Sequence, residues 1–259
     1  NKKAIAGALT VKHGHINPEK TAQAYIQAFL RLGGEIVITQ VQNFTSNHAS
    51  PTIKTTTKTF HSANVVVCAG GFSRQLLKAS GIPIRLYFTH AEMIQTPPVE
   101  VQLRTLVMPA HLQRFQLEAE SSRVDELWNE PGNEPAAPIL DAGAIQFQDR
   151  SMRLGQISRV LTEPNAEIDG KISESWLRQS IGEILPVLSN LPGTWHHCLV
   201  AFSGDRLPVI GAIPEYHGIY IFSGFSNPLV IVPPLAQRFT NYLSGKEDKI
   251  ICQLSPVRF

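Results

Sequence analysis

The chain has 259 residues, of which 43% are hydrophobic and 17% charged, a balance typical of a protein with a packed core. The formal net charge of +2 is too small to indicate a nucleic-acid partner or an anionic membrane surface, and no apolar run approaches the ~20 residues that span a bilayer. The only cysteines, Cys68, Cys198 and Cys252, lack CxxC spacing, which argues against a disulfide framework or structural zinc and leads us to expect a reducing, cytoplasmic setting.

The N-terminal part predicts a helix between two strands, over 4–11 and 35–41. The helix begins at Asn17-Pro18, because Asn caps free backbone N–H groups and Pro suits the first helical position. The glycine pair at 33–34 ends it, since glycine tolerates the left-handed conformation. Apolar residues recur at helical spacing between these signals: Ala22, Ile26, Phe29 and Leu30.

The next segment predicts a hairpin arm and then a buried strand. Residues 52–60 alternate weakly, which is typical of a strand with one wet face. The run Val65-Val66-Val67 predicts a strand buried on both faces, as in a parallel sheet. Gly70 and Gly71 end this strand, and a helix is expected over 73–78.

The middle of the chain predicts two long strands, over 86–96 and 144–157. The stretch 97–138 between them is irregular, with a short helix expected near 123–128. Its acidic part, 118–130, is interpreted as a solvated surface.

The last third predicts two helices and a strand. Apolar residues at helical spacing predict a helix over 175–188. A strand follows over 219–223, and a final helix that begins near Leu235 ends at Gly245.

Three stretches carry a family resemblance. The first is Gly14-His15-Ile16-Asn17-Pro18 with the helix that follows it, and the second is the run 65–73. The third combines residues 205–211, Gly218-Ile219-Tyr220 and Gly224-Phe225-Ser226. In this order they resemble the FAD-dependent amine and amino-acid oxidases related to D-amino-acid oxidase and glycine oxidase, over the C-terminal two-thirds of such a protein.

The resemblance implies a mixed α/β fold, part of a doubly wound FAD-binding domain joined to an antiparallel-sheet substrate domain. Residues 14–83 and 203–259 would supply the FAD-binding part. Residues 1–13 and 84–202 would supply the substrate-binding part.

The same resemblance assigns FAD contacts to small residues at strand ends and to a loop before a helix. Each assignment has an alternative without a ligand. Val41 is then an ordinary edge-strand residue, and Ala69 and Gly70 form a plain strand-to-helix turn. Asp205 is then a turn cap. The loop 224–226 would border the flavin ring, where a helix N-terminus stabilises negative charge. The implied cofactor residues are Val41, Ala69, Gly70, Gly71, Asp205, Gly211, Gly224, Phe225 and Ser226.

The sequence departs from the family pattern at three places. No G-x-G-x-x-G fingerprint is present, so we expect a truncated chain that binds FAD weakly without an N-terminal segment or second subunit. Asn227-Pro228-Leu229 stands where the family usually has a glycine. Residues 199–202 lack the arginine that binds a substrate carboxylate in glycine oxidase-like members; Arg153 and Arg206 are substitutes, with structural roles as the alternative.

The resemblance therefore implies part of a flavoprotein that oxidises the C–N bond of a small amine or amino acid. The flavin carries that chemistry, so no catalytic residue is assigned. The alternative is an interaction or structural protein that kept the fold and lost FAD. The run His196-His197-Cys198 is not assigned as a metal site, because neighbouring strand residues point to opposite faces.

Overall fold

A computed structural model describes residues 9–12, 14–46, 50–226 and 228–259. The helices are α1 (Pro18–Arg31), α2 (Ser73–Ala79), α3 (Arg114–Ser121), α4 (Gly170–Ile184), α5 (Pro228–Leu243) and α6 (Lys249–Gln253). The strands are β1 (Val41–Ser46), β2 (Pro51–Thr55), β3 (Thr59–His61), β4 (Val65–Val67), β5 (Tyr87–Gln95), β6 (Ala136–Gln146), β7 (Met152–Val160), β8 (Thr194–Phe202), β9 (Val209–Ala212) and β10 (Ile219–Ser223).

The largest sheet is antiparallel and has the strand order β6-β7-β5-β8. Helix α4 packs against it through Leu177 and Ile181, which are buried together with Ile94 and Ile157. Asp169 caps this helix by accepting hydrogen bonds from the N–H groups of residues 171 and 172. A second buried cluster on the same strands contains Phe88 and Phe202 together with Leu117 of α3 and Trp128, so the sheet carries more than one part of the core.

A second, smaller sheet has the order β4-β10-β9, with β4 parallel and β9 antiparallel to β10. One side buries Leu77 of α2 in a cluster with Ile219 and Ile221. The other side buries Phe239 of α5 and Ile251 of α6. Helices thus cover both faces, as the valine run at 65–67 predicts.

Strands β1, β2 and β3 form a third antiparallel sheet. Phe44 attaches it to the second sheet's core, where its side chain is 2% exposed. The Phe44 N–H also donates to Ser80 Oγ at 3.0 Å. This sheet is therefore held next to the end of α2.

Helix α1 forms as predicted but buries none of its residues. Asn17 Oδ1 accepts a hydrogen bond from the Lys20 N–H at 3.0 Å, which caps the helix. Its apolar side chains lie about half exposed to solvent: Tyr25, Ile26, Phe29 and Leu30. The helix is therefore specified locally, by its cap and its spacing, rather than by packing.

Several sequence predictions of elements are wrong in detail. The strand expected over 35–41 begins only at Val41; Ile38 is 93% exposed, and the described residues offer no neighbouring strand to pair with 35–40. The strand expected over 144–157 is a hairpin, β6 and β7, whose connection turns at Arg150 with φ of 70°. Likewise 52–60 contains two paired strands rather than one arm.

Two further differences concern a helix that the sequence did not predict and the strand expected near the N-terminus. The stretch 97–138 holds α3, which the sequence did not predict, before the 3-10 turn Asp125–Asn129. The strand expected over 4–11 falls mostly outside the described residues, and 9–12 form none.

The predicted fold class, mixed α/β with an antiparallel-sheet portion, is confirmed. All strands of the largest sheet lie within residues 84–202, and all strands of the second sheet lie outside that range. The division into an FAD-binding and a substrate-binding domain itself stays a prediction. None of the described helices is long and apolar enough to cross a membrane.

Candidate functional site

Two glycine-containing loops meet at one edge of the second sheet. Strands β4 and β10 are parallel neighbours, so their carboxyl ends lie side by side. Ser223 Oγ, at the end of β10, lies 3.4 Å from the carbonyl oxygen of Gly70 and 2.8 Å from Ser73 Oγ. Six predicted cofactor residues are thereby gathered at this edge: Ala69, Gly70, Gly71, Gly224, Phe225 and Ser226.

The two loops use glycine for different physical reasons. Gly70 has φ of +54°, and a Cβ added there would meet nothing within 4 Å. Gly224 has φ of +80°, and a Cβ there would lie 2.9 Å from Leu86 Cδ2. Open space at Gly70 leaves room for a ligand to approach the backbone, whereas Gly224 is needed for protein packing.

Of the other three predicted residues, Val41 and Gly211 lie apart from this edge, whereas Asp205 lies in the turn before β9, whose first residue, Val209, pairs with Ser223. Val41 begins β1 and pairs with Thr55 in the third sheet. Gly211 lies within β9 opposite Ile221, with φ of 141°, and packs near Pro256. Their assignment to FAD stays a prediction.

Asp205 has a full set of protein partners. Its carboxylate accepts hydrogen bonds from Arg258 at 2.7 and 3.0 Å, from Ser203 Oγ at 2.7 Å and from the Leu207 N–H at 3.1 Å. Burial raises the pKa of Asp205, but these hydrogen bonds outweigh burial and bring it to about 2. The contacts with Ser203 and Leu207 are those of a turn cap, and the contact with Arg258 is an ion pair with a distant segment. The assignment of Asp205 to FAD stays a prediction.

Helix α3 contacts the loop 224–226 through the side chains of Arg114 and Glu118. Arg114 Nη2 donates to the Ser226 carbonyl oxygen, and Ser226 Oγ donates to Glu118 Oε2, each at 3.4 Å. Arg114 and Glu118 also form an i,i+4 ion pair at 3.4 Å. The Glu118 side chain is 0% exposed, and burial raises its pKa against the opposing effects of Arg114 and Ser226.

Sequence reasoning missed this support and placed Glu118 on a solvated surface, which is wrong. The acidic composition of 118–130 concealed a buried residue, because exposure was inferred from charge alone. The available signal was the four-residue spacing of Arg114 and Glu118, which allows an ion pair along one helix face.

A cavity of about 380 Å³ lies beside the loop, between the antiparallel sheet and the segment 106–112. Ser226 lies on one side of it and Arg153 of β7 on another. Most of its lining is apolar: Met93, Leu106, Val107, Met108, Pro109, Leu112, Ala144, Ile145 and Leu154. An apolar cavity with a few polar groups is typical of a small-molecule site.

His197, one of the two adjacent histidines at 196–197, belongs to an aromatic stack. The His197 ring lies 5.0 Å from that of Trp195 and 6.0 Å from that of His90, nearly parallel to both. Among the residues that the structure describes, no three His, Cys, Asp or Glu side chains gather as a metal site would require.

A family model described as FAD dependent oxidoreductase (DAO) matches residues 1–242. No curated protein sequence matches the chain significantly.

Solved structures of three enzymes share the fold. Glycine oxidase from Geobacillus kaustophilus is 17% identical, with a TM-score of 0.69 over 92% of this chain and 57% of its own. L-Proline dehydrogenase from P. horikoshii is 18% identical (TM-score 0.70; 93% and 59%). Iminodiacetate oxidase from Chelativorans sp. BNC1 is 14% identical (TM-score 0.68; 92% and 58%). The chain thus spans under three-fifths of the length of each.

Proposed function

We propose, because the chain belongs to the family of FAD-dependent oxidoreductases, that it is part of an enzyme that oxidises the C–N bond of a small amine or amino acid. The similar solved structures are named as a glycine oxidase, a proline dehydrogenase and an iminodiacetate oxidase. Each of these names denotes an oxidation of an amine-bearing acid. Their substrates define the class that we infer for this chain.

The observation that carries the proposal is the meeting of the loops at 69–71 and 224–226 beside the apolar cavity. The residues present fit a flavin in one respect that the structure shows. At Gly70 the backbone is accessible and the space above it is open. A dinucleotide can therefore approach this strand end closely, as in other doubly wound sheets.

Each element has a defined task in this proposal. Bound FAD would supply the redox chemistry by accepting a hydride from the carbon next to the amine nitrogen. Helix α5 begins at Pro228, directly after the loop, and its N-terminal dipole would stabilise negative charge near that loop. Arg114 and Glu118 hold Ser226 in place, and the apolar lining excludes water from the substrate.

The test is an equilibrium titration of the 259-residue chain with FAD, followed by the visible absorbance and fluorescence of the flavin. Because the chain lacks the G-x-G-x-x-G fingerprint, we expect weak but saturable binding, and bleaching of the bound flavin by an amine substrate in the absence of oxygen. Saturable binding without bleaching by any amine or amino acid would contradict C–N oxidation. No saturable binding would contradict flavin binding by this chain and favour the structural alternative, which the run Asn227-Pro228-Leu229 also favours.

A matched pair of variants separates a cofactor contact from a folding effect. Gly70→Val fills the open space at the proposed flavin edge, whereas Gly132→Val places the same side chain at another open, positive-φ glycine, with φ of +79°. Both changes impose a similar conformational strain. We expect only Gly70→Val to weaken FAD binding, by at least tenfold.

A further inference from the structure

The C-terminal segment of the chain forms one wall of a second cavity, which we call the C-terminal cavity. Residues 243–259 lie beyond the part of the chain that the family model matches. The Ile210 N–H donates to the Leu254 carbonyl oxygen at 2.8 Å, which fixes this segment to β9. Val257 and Phe259 then line the cavity. This wall therefore lies outside the matched part of the chain.

The C-terminal cavity has a volume of about 740 Å³ and lies between this segment, the end of α2 and the turn between β9 and β10. Its size is within the usual range of small-molecule sites. Ile82 and Ile213 line it and are buried in the core of the second sheet. Val257 is 63% exposed and Phe259 is 41% exposed. The cavity therefore presents apolar surface that a bound molecule would cover.

The C-terminal cavity is separate from the edge where the loops 69–71 and 224–226 meet. The turn 213–216, which lines the cavity, precedes β10, whereas the loop 224–226 follows it. Strand β10 has five residues, so its ends lie about 13 Å apart at the usual rise of a strand. The two sites therefore lie at opposite ends of β10, and they share no residue.

Hydrogen bonds hold the walls of the cavity in place. The Tyr216 hydroxyl donates to the Gly81 carbonyl oxygen at 3.0 Å and joins the β9–β10 turn to the end of α2. Lys78 Nζ donates to the Asn129 carbonyl oxygen at 2.6 Å and joins α2 to the 3-10 turn that Asn129 ends. The cavity is thus preformed, as small-molecule sites usually are.

The lining carries cations that the protein does not neutralise. Five charged side chains line the cavity: Arg74, Lys78, Arg85, Asp125 and Glu215. Arg74 pairs with Asp125 at 3.0 Å. Across the described residues no carboxylate, that of the terminal Phe259 included, lies within 4.0 Å of Arg85 or Lys78. The Lys78 ammonium uses one of its three donors on a carbonyl oxygen. Arg85 and Lys78 are therefore free to bind an anion.

We propose that the C-terminal cavity binds a small organic phosphate, whose charge Arg85 and Lys78 neutralise and whose apolar body covers Val257 and Phe259. A guanidinium binds phosphate with two parallel hydrogen bonds, and an ammonium adds a point charge. A phosphate monoester carries a charge of about −1.5 to −2 at pH 7, which two cations match better than they match the single charge of a carboxylate. The site is independent of the flavin and of the proposed function above.

The test is calorimetric titration of the 259-residue chain, without FAD, with phenyl phosphate as the probe. We expect saturable binding. Phenol lacks the charge and inorganic phosphate lacks the apolar body, so each should bind at least about tenfold more weakly. Benzoate, which keeps the ring but carries a single charge, should bind at least about threefold more weakly.

Three variants that each remove one charge separate this site from general electrostatic attraction. Arg85→Gln should weaken phenyl phosphate binding at least about tenfold, whereas Glu215→Gln removes a neighbouring negative charge and should not weaken it. Arg31→Gln is the control because Arg31 is exposed in the last turn of α1, and it should bind as the unmodified chain does. Arg85 is itself exposed, so its substitution should leave the melting temperature unchanged.

A further variant tests the apolar wall. Val257→Asp places a carboxylate at an exposed position of that wall and should abolish phenyl phosphate binding. The proposal would be overturned by no saturable binding to the unmodified chain, or by equal binding of phenol, inorganic phosphate or benzoate. Unchanged binding in Arg85→Gln or Val257→Asp, or weaker binding in Glu215→Gln, would overturn it as well. FAD is absent throughout, so a failure of flavin binding cannot be mistaken for a failure of this site.

Discussion

Arg258, one residue from the C-terminal end, forms a two-point ion pair with Asp205, with distances of 2.7 and 3.0 Å. Arg258 also donates to the carbonyl oxygens of Leu207 and Leu254. One side chain therefore joins the turn before β9 to the segment after α6. The turn leads into β9, whose first residue, Val209, pairs with Ser223 directly before the loop 224–226, so this ion pair holds the strand next to that loop.

We expect Arg258→Gln to lower the free energy of unfolding at pH 7. The pKa of Asp205 is depressed to about 2, so its contribution is present above its ordinary pKa of 3.8 and is lost as pH falls toward 2. Asp205 is 36% exposed, and after allowance for solvent screening we expect a loss of about 1 kcal/mol. The measurement is urea denaturation of both proteins at pH 7 and near pH 3, where the difference should shrink.

The control for this prediction is Arg150→Gln. Arg150 pairs with Glu100 at 3.2 Å, but their side chains are 44% and 98% exposed. Such a pair contributes little to stability. A loss from Arg258→Gln that is no larger, or that does not depend on pH, would contradict the role given to Asp205.

A second prediction concerns the ion pair of Arg114 and Glu118, which contacts the loop 224–226. Arg114→Met would leave the buried Glu118 carboxylate without its cation, at a cost of about 3–5 kcal/mol. Burial raises the pKa of Glu118, so the charged form destabilises the fold as pH rises above its ordinary value of 4.5. The cost of Arg114→Met should therefore be smaller at pH 5 than at pH 8.

A double-mutant cycle distinguishes this pair from independent packing effects. Since Arg114→Met/Glu118→Gln removes both charges, it should cost clearly less than the sum of the two single changes. Additive losses in urea denaturation would show that Arg114 and Glu118 do not act together.

The sequence predicted elements well where the signal was local. Asn17 caps α1 as expected, and the valine run forms β4 with helices on both sides. These features depend on neighbouring residues and on hydrophobic patterning alone. The meeting of the loops after β4 and β10 also follows from strand direction once the two strands are known to be parallel.

The parts that the sequence did not predict depend on tertiary contacts. Residues 35–40 have strand-forming composition, but a strand requires a hydrogen-bonded neighbouring strand, and among the described residues only the Gln40 carbonyl oxygen accepts such a bond, from the Thr56 N–H at 3.0 Å. Glu118 has the charge of a surface residue, yet it lies in the interior, where Arg114 and Ser226 contact its carboxylate. Arg153 was weighed only as a substitute, because the sequence does not show which arginines pair with a carboxylate in three dimensions.

A third prediction compares two glycines of the candidate site. Gly224→Ala would strain a backbone with φ of +80° and place a Cβ 2.9 Å from Leu86, whereas Gly70→Ala meets open space at φ of +54°. Gly70→Ala should cost about 1 kcal/mol for conformation alone, and Gly224→Ala more, since it adds a clash. Equal midpoints for the two variants in thermal denaturation would refute the packing role assigned to Gly224.

A fourth prediction tests whether α1 contributes to the folded core of this chain. Leu177 of α4 is fully buried and Ile26 of α1 is 47% exposed. Leu177→Ala should therefore cost about 2–5 kcal/mol, because it removes apolar contacts and leaves a cavity. Ile26→Ala should change stability by less than about 1 kcal/mol, since little apolar surface returns to water and alanine favours a helix. Urea denaturation followed by circular dichroism compares the two. A loss for Ile26→Ala as large as that for Leu177→Ala would mean that another surface covers α1 in solution.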